Sequence, residues 1–400
     1  MRNVIILGST GSIGTQALSI IERHQNDFRI LGLAASGGRV ELLAQQIQKF
    51  HVPYVALFQE GSVQCLRECL GENERGVDFY EGVNASVQLV SLANEDTIVI
   101  NGITGSIGLA PTLATLRTGA QLALANKESL VAGGVLVKEA MVRPGQITPV
   151  DSEHSAIAQA LLSGNHHRGL TCEIVDGTTD VSRLILTASG GPFRGKKQED
   201  LRDVTPQMAL EHPTWSMGPV VTINSSTLMN KTLEIIEAAY LFDISPDDIV
   251  PVVHPQSVVH SMVEFRDGAV IAQASPPDMA LPIALGLSWP ERMDNVARPC
   301  LWTTPVSWNF EPLDEETFPL PRIGKDAMKE SPLHPAVMNA ANEEAVDAFL
   351  NGKLAYLDIV PLVISVLEKY EFSSNPCYED VIEVENWARS QAHHFIDKQL

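Results

Sequence analysis

The sequence is poor in basic residues. Its 28 lysines and arginines are outnumbered by 49 aspartates and glutamates, which gives a formal net charge of -21. Nucleic-acid binding requires a basic patch that neutralises phosphates, so this composition argues against a nucleic-acid partner. It still permits local basic pockets that bind small anions, and the acidic excess serves solubility.

Cysteine is also scarce, and an odd, scattered set of five is typical of a reducing compartment rather than of a disulfide framework. The five are Cys65, Cys69, Cys172, Cys300 and Cys377. Cys65 and Cys69 have helical spacing, but no further ligand type lies nearby in the sequence to complete a metal site. Buried cysteine more commonly behaves as a small hydrophobe.

Long apolar runs are missing as well. No stretch approaches the ~18 uncharged apolar residues of a membrane span, and the chain enters the run "VIIL" without the features of a signal peptide. We therefore expect a cytoplasmic protein with no membrane partner.

The chain length of 400 residues exceeds one hydrophobic core, so two or three domains are expected. Residues 1–150 alternate strand-like runs such as "NVIIL", "FRILGLAA", "YVALF", "TIVIN" and "AQLALAN" with segments of helical period. This alternation predicts the α/β fold class, with a Rossmann-like, doubly wound parallel sheet.

The pattern changes after residue 150. Residues 151–285 contain the strand-like runs "RLILTAS", "VVTIN", "IVPVVH", "SMVEF" and "AVIAQAS", which predict an α+β domain. Residues 286–312 are rich in proline and tryptophan and indicate an extended linker. Residues 313–400 have helical spacing and predict a small α-helical domain.

The pentapeptide "TGSIG" occurs at 10–14 and again at 104–108, each time after a strand-like run. At the first copy, "GSTGSIG" resembles a phosphate-binding turn without being the strict G-x-G-x-x-G pattern. Its glycines allow close approach of a pyrophosphate, and the helix that follows presents unpaired N–H groups. A turn that binds nothing is the alternative.

The end of the second predicted strand would contact the ribose of a dinucleotide. That position contains "AASGGR", with Arg39 and no acid. Because an arginine attracts a 2′-phosphate and an NAD site needs a carboxylate there, NADP is favoured over NAD. No ribose-binding residue follows the second "TGSIG". We therefore expect this turn either to line the cofactor crevice or to serve only in backbone packing.

Acidic residues cluster at the domain junction in "TPVDSEHSA". In an extended segment Asp151 and Glu153 would point the same way, and two oxygen ligands suit Mg²⁺ or Mn²⁺. Helix capping is the alternative. A third acid comes from "NSSTLMNKTLEIIEAAYLF", predicted as one helix. Spacing alone does not choose between Glu234 and Glu237.

Two other stretches suit a phosphorylated ligand. "LTASGGPFRG" ends a strand with Ser189 and two glycines, which is typical of an anion-binding turn. The segment "PQMALEHPTWSMGP" carries His212 and Trp215 between prolines and a glycine, which indicates either a lid or an ordinary surface loop.

Together, "GSTGSIG", "ANKESLV", "PVDSEHSA", "LTASGGPF", "HPTWSMG" and "NSSTLMNKTLEIIEA" resemble the 1-deoxy-D-xylulose 5-phosphate reductoisomerase family in the same order along nearly the whole chain. The resemblance implies conversion of that ketose phosphate to 2-C-methyl-D-erythritol 4-phosphate in the non-mevalonate isoprenoid pathway. It implies a retro-aldol and aldol isomerisation followed by reduction, with NADPH, a divalent cation (Mn²⁺, Mg²⁺ or Co²⁺) and a homodimer.

The resemblance also implies roles for individual residues. The metal ligands would be Asp151, Glu153 and Glu234, and these three with Lys127 would be catalytic. The substrate would contact Lys127, Ser152, Glu153, Ser189, His212, Trp215, Ser225, Asn230, Lys231 and Glu234. NADPH would contact Thr10, Gly11, Ser12, Ile13, Gly37, Gly38, Arg39, Asn126, Glu128, Met217 and Gly218. The family often has lysine and asparagine where this chain has Gly38 and Arg39.

Two other functions fit the sequence less well. A dehydrogenase without isomerase activity would need a catalytic cysteine or a His–acid pair near the nicotinamide, and the cysteines lie in no such context. An NADP-sensing protein with a decayed site would not need the acids, lysines and lid residues that are present here.

Overall fold

The computed structural model describes residues 1–215, 218–372 and 376–399. Its first sheet is built from β1 Arg2–Leu7, β2 Phe28–Ala35, β3 Tyr54–Leu57, β4 Asp78–Glu81, β5 Thr97–Asn101, β6 Gln121–Leu124 and β7 Ile147–Pro149. In the described chain these strands pair in the order β4-β3-β2-β1-β5-β6-β7, and every neighbouring pair is parallel. The predicted parallel sheet is therefore confirmed.

Helices cover both faces of this sheet. They are α1 Ser12–Arg23, α2 Val40–Phe50, α3 Ser62–Leu70, α4 Ala85–Val90, α5 Leu109–Arg117 and α6 Glu128–Ala140. Alternate side chains of a strand point to opposite faces, so Val4 and Ile6 pack in the core with α1, α2 and α3. Ile5 and Leu7 pack on the other face with α4. Burial on both faces explains why residues 4–7 of β1 are all apolar.

A second sheet follows, with β8 Val181–Ala188, β9 Ile249–Val253, β10 Val259–Phe265, β11 Val270–Ala274 and β12 Glu311–Pro312. The strand order is β11-β10-β8-β9-β12, in which β8 and β9 are parallel and the other described pairs antiparallel. The helices of this part are α7 Ser152–Leu161, α8 Pro206–Ala209, α9 Pro219–Ser226, α10 Met229–Phe242 and α11 Ala280–Ser288. Four of its strands coincide with predicted runs.

The predicted strand "VVTIN" is wrong, because these residues form α9. Gly218 is the N-cap residue in an extended conformation and Pro219 occupies the first turn, a position where the missing N–H of proline costs nothing. The predicted single helix after it is also wrong. It is broken at Leu228, whose φ of 61° is left-handed, so Ser225 lies in the last turn of α9 instead of beginning the next helix.

The interpretation of residues 151–153 as extended is likewise wrong. Asp151 is the N-cap residue of α7, and Glu153 lies in the first helical turn. Their carboxylates nevertheless approach each other, because a cap residue and a first-turn residue share one end of a helix.

The C-terminal part is helical, as predicted, with α12 Leu320–Glu330, α13 His334–Leu350, α14 Ile359–Leu367 and α15 Tyr378–Gln399. Helix α13 packs against α6 and α9, which links this region to both earlier parts. Helix α11 returns to the first sheet, where Ile283, Ala284 and Leu287 join its core. Among the helices that the structure describes, none is long and apolar enough to cross a bilayer.

Candidate active site

A cavity of about 350 Å³ lies where the carboxyl edge of the first sheet meets the end of β8 and the helices α9 and α10. Both glycine turns, the start of α6 and the start of α7 open into it. Most of the predicted site residues line its wall: Gly11, Ser12, Ile13, Lys127, Glu128, Asp151, Ser152, Glu153, Ser189, His212, Trp215, Gly218, Ser225, Asn230, Lys231 and Glu234.

The remaining predicted residues lie elsewhere. Thr10, Gly37, Gly38, Arg39 and Asn126 are not among the described residues of the cavity wall. The exposed Arg39 is tied to the first glycine turn, since its Nη1 donates to the carbonyl oxygen of Thr10 at 3.2 Å. The predicted contact of Met217 with NADPH falls outside the described residues.

The first glycine turn is shaped for close approach. A Cβ atom at Gly14 would lie 2.4 Å from the carbonyl oxygen of Gly8, so only glycine fits there. Gly11 is the N-cap residue of α1 and offers no side-chain cap. The first-turn N–H groups beside Ser12 and Ile13 thus meet the cavity, as in helix N-termini that bind phosphate groups.

The second glycine turn is fixed to the start of α6 by Asn126, which is buried. Its amide nitrogen donates to the carbonyl oxygens of Ile103 at 2.8 Å and Gly105 at 3.0 Å. The same nitrogen lies 2.7 Å from Oε2 of Glu128. Asn126 therefore acts on the cavity through this turn, which contributes Gly102, Ile103 and Thr104 to the wall.

Three carboxylates converge in the cavity, although they come from two helices. One oxygen each of Asp151, Glu153 and Glu234 lies within 4.8 Å of the others. Ser152 donates to Glu153 at 2.5 Å, and the Asn230 amide donates to Glu234 at 2.5 Å. An all-oxygen set of this size suits a hard divalent cation such as Mg²⁺ or Mn²⁺.

Two lysines neutralise part of this negative charge. Lys127 pairs with Asp151 and lies 3.3 Å from Oε1 of Glu234. Lys231 pairs with Glu234 and lies 2.9 Å from Oε1 of Glu153. Burial opposes ionisation of Glu153, but the two ammonium groups outweigh it and lower its pKa to about 2. Burial also opposes the charge on both lysines, yet the carboxylates raise their pKa values.

A deeper set of groups lies behind these ligands. Asp151, His154 and Glu237 form a second group whose atoms could hold a metal. His154 Nε2 is 2.9 Å from the carbonyl oxygen of Glu234. Burial raises the pKa of Glu237 to about 8 and lowers that of His154 to about 3. The all-oxygen set agrees better with a hard cation than this mixed set does.

The other end of the cavity offers hydroxyl groups and a histidine. Nε2 of His212 is 3.1 Å from Oγ of both Ser189 and Ser225. Nδ1 of His212 accepts the backbone N–H groups of Thr214 at 3.1 Å and Trp215 at 2.9 Å. The neutral ring therefore has its proton on Nε2, and burial lowers the pKa of His212. This end presents O–H and N–H donors to an anion.

Several wall residues were missed by sequence reasoning. His260 is 4% exposed and lies 6.4 Å from the Trp215 ring, measured between ring centroids. The carbonyl oxygen of Thr187 accepts from Lys231. Ser257 and Met279 also line the wall and were not predicted. A lone histidine in a strand-like run gives no sequence signal, because nothing marks which face of the strand meets the cavity.

A buried acidic residue lies outside the cavity, beside the second glycine turn. Burial raises the pKa of Glu385 in α15 to about 7, and Ser106 and Arg389 oppose this rise. Glu343 of α13 and Glu128 of α6 add to it. Ion pairs from Arg389 to Glu343 (2.5 Å) and to its neighbour Glu344 (2.8 Å) tie α15 to α13.

Three family models match the chain. Residues 4–134 match the model described as 1-deoxy-D-xylulose 5-phosphate reductoisomerase. Residues 147–242 match its C-terminal domain, and residues 274–391 match a further model described as the DXP reductoisomerase C-terminal domain.

Relatives and solved structures agree with these models. Proteins named 1-deoxy-D-xylulose 5-phosphate reductoisomerase from Bifidobacterium longum subsp. infantis and Beutenbergia cavernae are 55% and 53% identical. The alignments cover 99% of this chain and 98% and 97% of those proteins. The Zymomonas mobilis enzyme in complex with NADPH superposes with a TM-score of 0.87 at 37% identity, covering 99% of both chains. A DOX-P reductoisomerase in complex with NADPH, fosmidomycin and magnesium superposes with a TM-score of 0.88 at 32% identity, and the match covers 99% of this chain and 98% of that chain.

Proposed function

Since this chain belongs to the 1-deoxy-D-xylulose 5-phosphate reductoisomerase family, we propose that the cavity described above is its active site, with the residue roles given below. The enzyme converts 1-deoxy-D-xylulose 5-phosphate to 2-C-methyl-D-erythritol 4-phosphate, and depends on NADPH and a divalent metal ion. The observation that carries the site assignment is the convergence of three carboxylates opposite a glycine turn that opens a helix.

Asp151, Glu153 and Glu234 would hold the dication. Their fit rests on the all-oxygen donor set and on the two lysines that pair with these carboxylates. When bound, the metal supplies Lewis acidity to the ketose oxygens and NADPH supplies the hydride. Lys127, at the edge of the carboxylate set, would orient the sugar backbone next to the metal-binding residues.

The first glycine turn would hold the pyrophosphate of NADPH. Gly11, Ser12 and Ile13 present the open start of α1 to the cavity. Arg39, on the same edge of the sheet, would face the 2′-phosphate, and its bond to Thr10 links the two subsites. Glu128 and Gly218 also line the cavity wall and would contact the cofactor.

The substrate phosphate would bind at the opposite end. Ser189, Ser225 and His212 supply donors there, and Asn230 and Lys231 lie at the start of α10 beside them. Trp215 covers this end with an apolar ring and would exclude water from the reacting sugar. Asn230 and Lys231 would join this phosphate subsite to the carboxylates, because Asn230 donates to Glu234 and Lys231 donates to Glu153.

A direct test measures NADPH oxidation with the pentulose phosphate, with and without a chelator. We expect turnover that depends on added Mg²⁺ or Mn²⁺ and yields the branched polyol phosphate. Turnover that survives complete chelation would refute the metal assignment and would favour a plain dehydrogenase.

We also infer that the protein forms a homodimer. Val270 and Ile271 of β11, at the edge of the second sheet, are exposed, as are Leu301 and Trp302 of the extended segment. An exposed apolar edge strand is suited to pairing with a second copy. Sedimentation of Ile271→Lys should give a monomer if this edge is the interface, and an unchanged dimer would refute it.

We propose four segments. Residues 1–150 would bind NADPH, residues 151–285 would bind the metal and the substrate, residues 286–312 would form an extended linker, and residues 313–400 would form a helical domain. Within the described chain all five cysteines are unpaired, which supports a reducing compartment such as the cytoplasm.

A further inference from the structure

We propose that Asn342 and Tyr356, from the C-terminal helical region, are positioning residues that hold the end of α9, so that Ser225 stays beside His212 and Ser189. Among the described residues that line the cavity, neither Asn342 nor Tyr356 is found, so both would act through α9. This inference rests on the proposed function, because it assigns that end of the cavity to the substrate phosphate.

The end of α9 is a place where the backbone needs support. Leu228, between α9 and α10, adopts φ 61° and ψ 15°. This left-handed conformation is unfavourable for a leucine and persists only when surrounding contacts fix it. The same turn sets the spacing between Ser225, in the last turn of α9, and Asn230 and Lys231, in the first turn of α10.

Tyr356 provides one of these contacts. Its hydroxyl donates to the carbonyl oxygen of Ser226 at 2.8 Å, and the side chain is 4% exposed. Ser226 is the last residue of α9, where carbonyl groups have no partner within the helix. The Tyr356 ring packs edge-on against Phe193 at 5.2 Å and Phe349 at 5.6 Å, which fixes the hydroxyl in place.

Asn342 of α13 provides a second contact. Its amide nitrogen donates to Oδ1 of Asn224 at 2.9 Å, and both side chains are buried. From the opposite side, a Cβ atom at Gly191 would lie 2.7 Å from the carbonyl oxygen of Ser225. The segment that carries Ser225 is thus held between the turn after β8 and the C-terminal helices.

The test replaces Tyr356 with phenylalanine, which keeps the ring packing and removes only the hydroxyl. We expect the KM for the pentulose phosphate and the inhibition constant of inorganic phosphate to rise together, by about fivefold to tenfold, as for one lost buried hydrogen bond. The KM for NADPH should change less than about twofold. Asn342→Ala should have the same pattern.

Tyr370→Phe is the matched control, because it removes the same hydroxyl from the same helical region at a residue that packs on His334 and Trp387. It should leave all three constants unchanged. A lower melting temperature of Tyr356→Phe with unchanged KM and inhibition constant would show a merely structural contact and overturn the inference.

Calorimetric titration with inorganic phosphate separates this inference from the proposed function. If the wild-type protein does not turn over the pentulose phosphate, the proposed function fails. Weaker phosphate binding by Tyr356→Phe than by wild type would still support the positioning role, and equal binding would refute it.

Discussion

Replacing Glu234 with glutamine tests the metal assignment, because it removes one charge and keeps the shape of the side chain. Glu234 is 1% exposed and belongs to the set whose oxygens lie within 4.8 Å of one another. Two unit charges 4 Å apart attract by about 4 kcal/mol at an effective dielectric of about 20, and we take this as the net loss, because a dication in direct contact attracts more strongly but is also desolvated. Loss of that attraction corresponds to roughly a thousandfold in metal affinity.

The assay titrates Mn²⁺ into metal-free enzyme and follows NADPH oxidation at saturating substrate. The half-activating metal concentration of Glu234→Gln should rise by about three orders of magnitude. Glu237→Gln is the matched control, since it makes the same change one turn further along α10. It should shift the half-activating concentration by at most about tenfold to a hundredfold, the range for groups that lie behind the metal ligands.

Two results would refute this reasoning. Equal metal activation of wild type and Glu234→Gln would remove Glu234 from the ligand set. A larger loss in Glu237→Gln than in Glu234→Gln would move the metal to the deeper set formed by Asp151, His154 and Glu237.

Three further predictions concern other parts of the molecule. The folded-state pKa of Glu385 is raised from 4.5 to about 7. Glu385 therefore stabilises the folded protein fully at a pH below its unfolded-state pKa, and this stabilisation is lost as the pH rises through the folded-state pKa. Between about pH 5 and pH 8, the unfolding free energy of Glu385→Gln should therefore gain about 2 kcal/mol relative to wild type; parallel curves in denaturant titrations would contradict this. Gly14→Ala should lose about 3 kcal/mol of stability and bind NADPH at least tenfold more weakly in a fluorescence titration, because its Cβ has no room. Ser189→Ala should raise the KM for the pentulose phosphate about tenfold with little change in kcat; an unchanged KM would place the phosphate elsewhere.

The first sheet was predictable because the patterns that specify its strands and helices lie within short stretches of the sequence. Strands buried on both faces are continuously apolar, and the helices between them have one apolar stripe each. The strand prediction for "VVTIN" failed because β-branched residues fit either a strand or a buried helix, and packing decides between them. Gly218 and Pro219 were the overlooked signal of a helix start.

The candidate site was only partly predictable from residue spacing. The choice between Glu234 and Glu237 stayed open because both lie on one helix, one turn apart, and their surroundings come from α7 and from Lys127 at the start of α6. His260 was missed because its burial depends on the pairing of β10 with its neighbours.

The most direct measurement is an anomalous difference map from crystals of the Mn²⁺-loaded enzyme. We expect one peak, about 2.0–2.3 Å from carboxylate oxygens of Asp151, Glu153 and Glu234. A peak bound instead by His154 and Glu237, or one distant from all three carboxylates, would contradict this expectation.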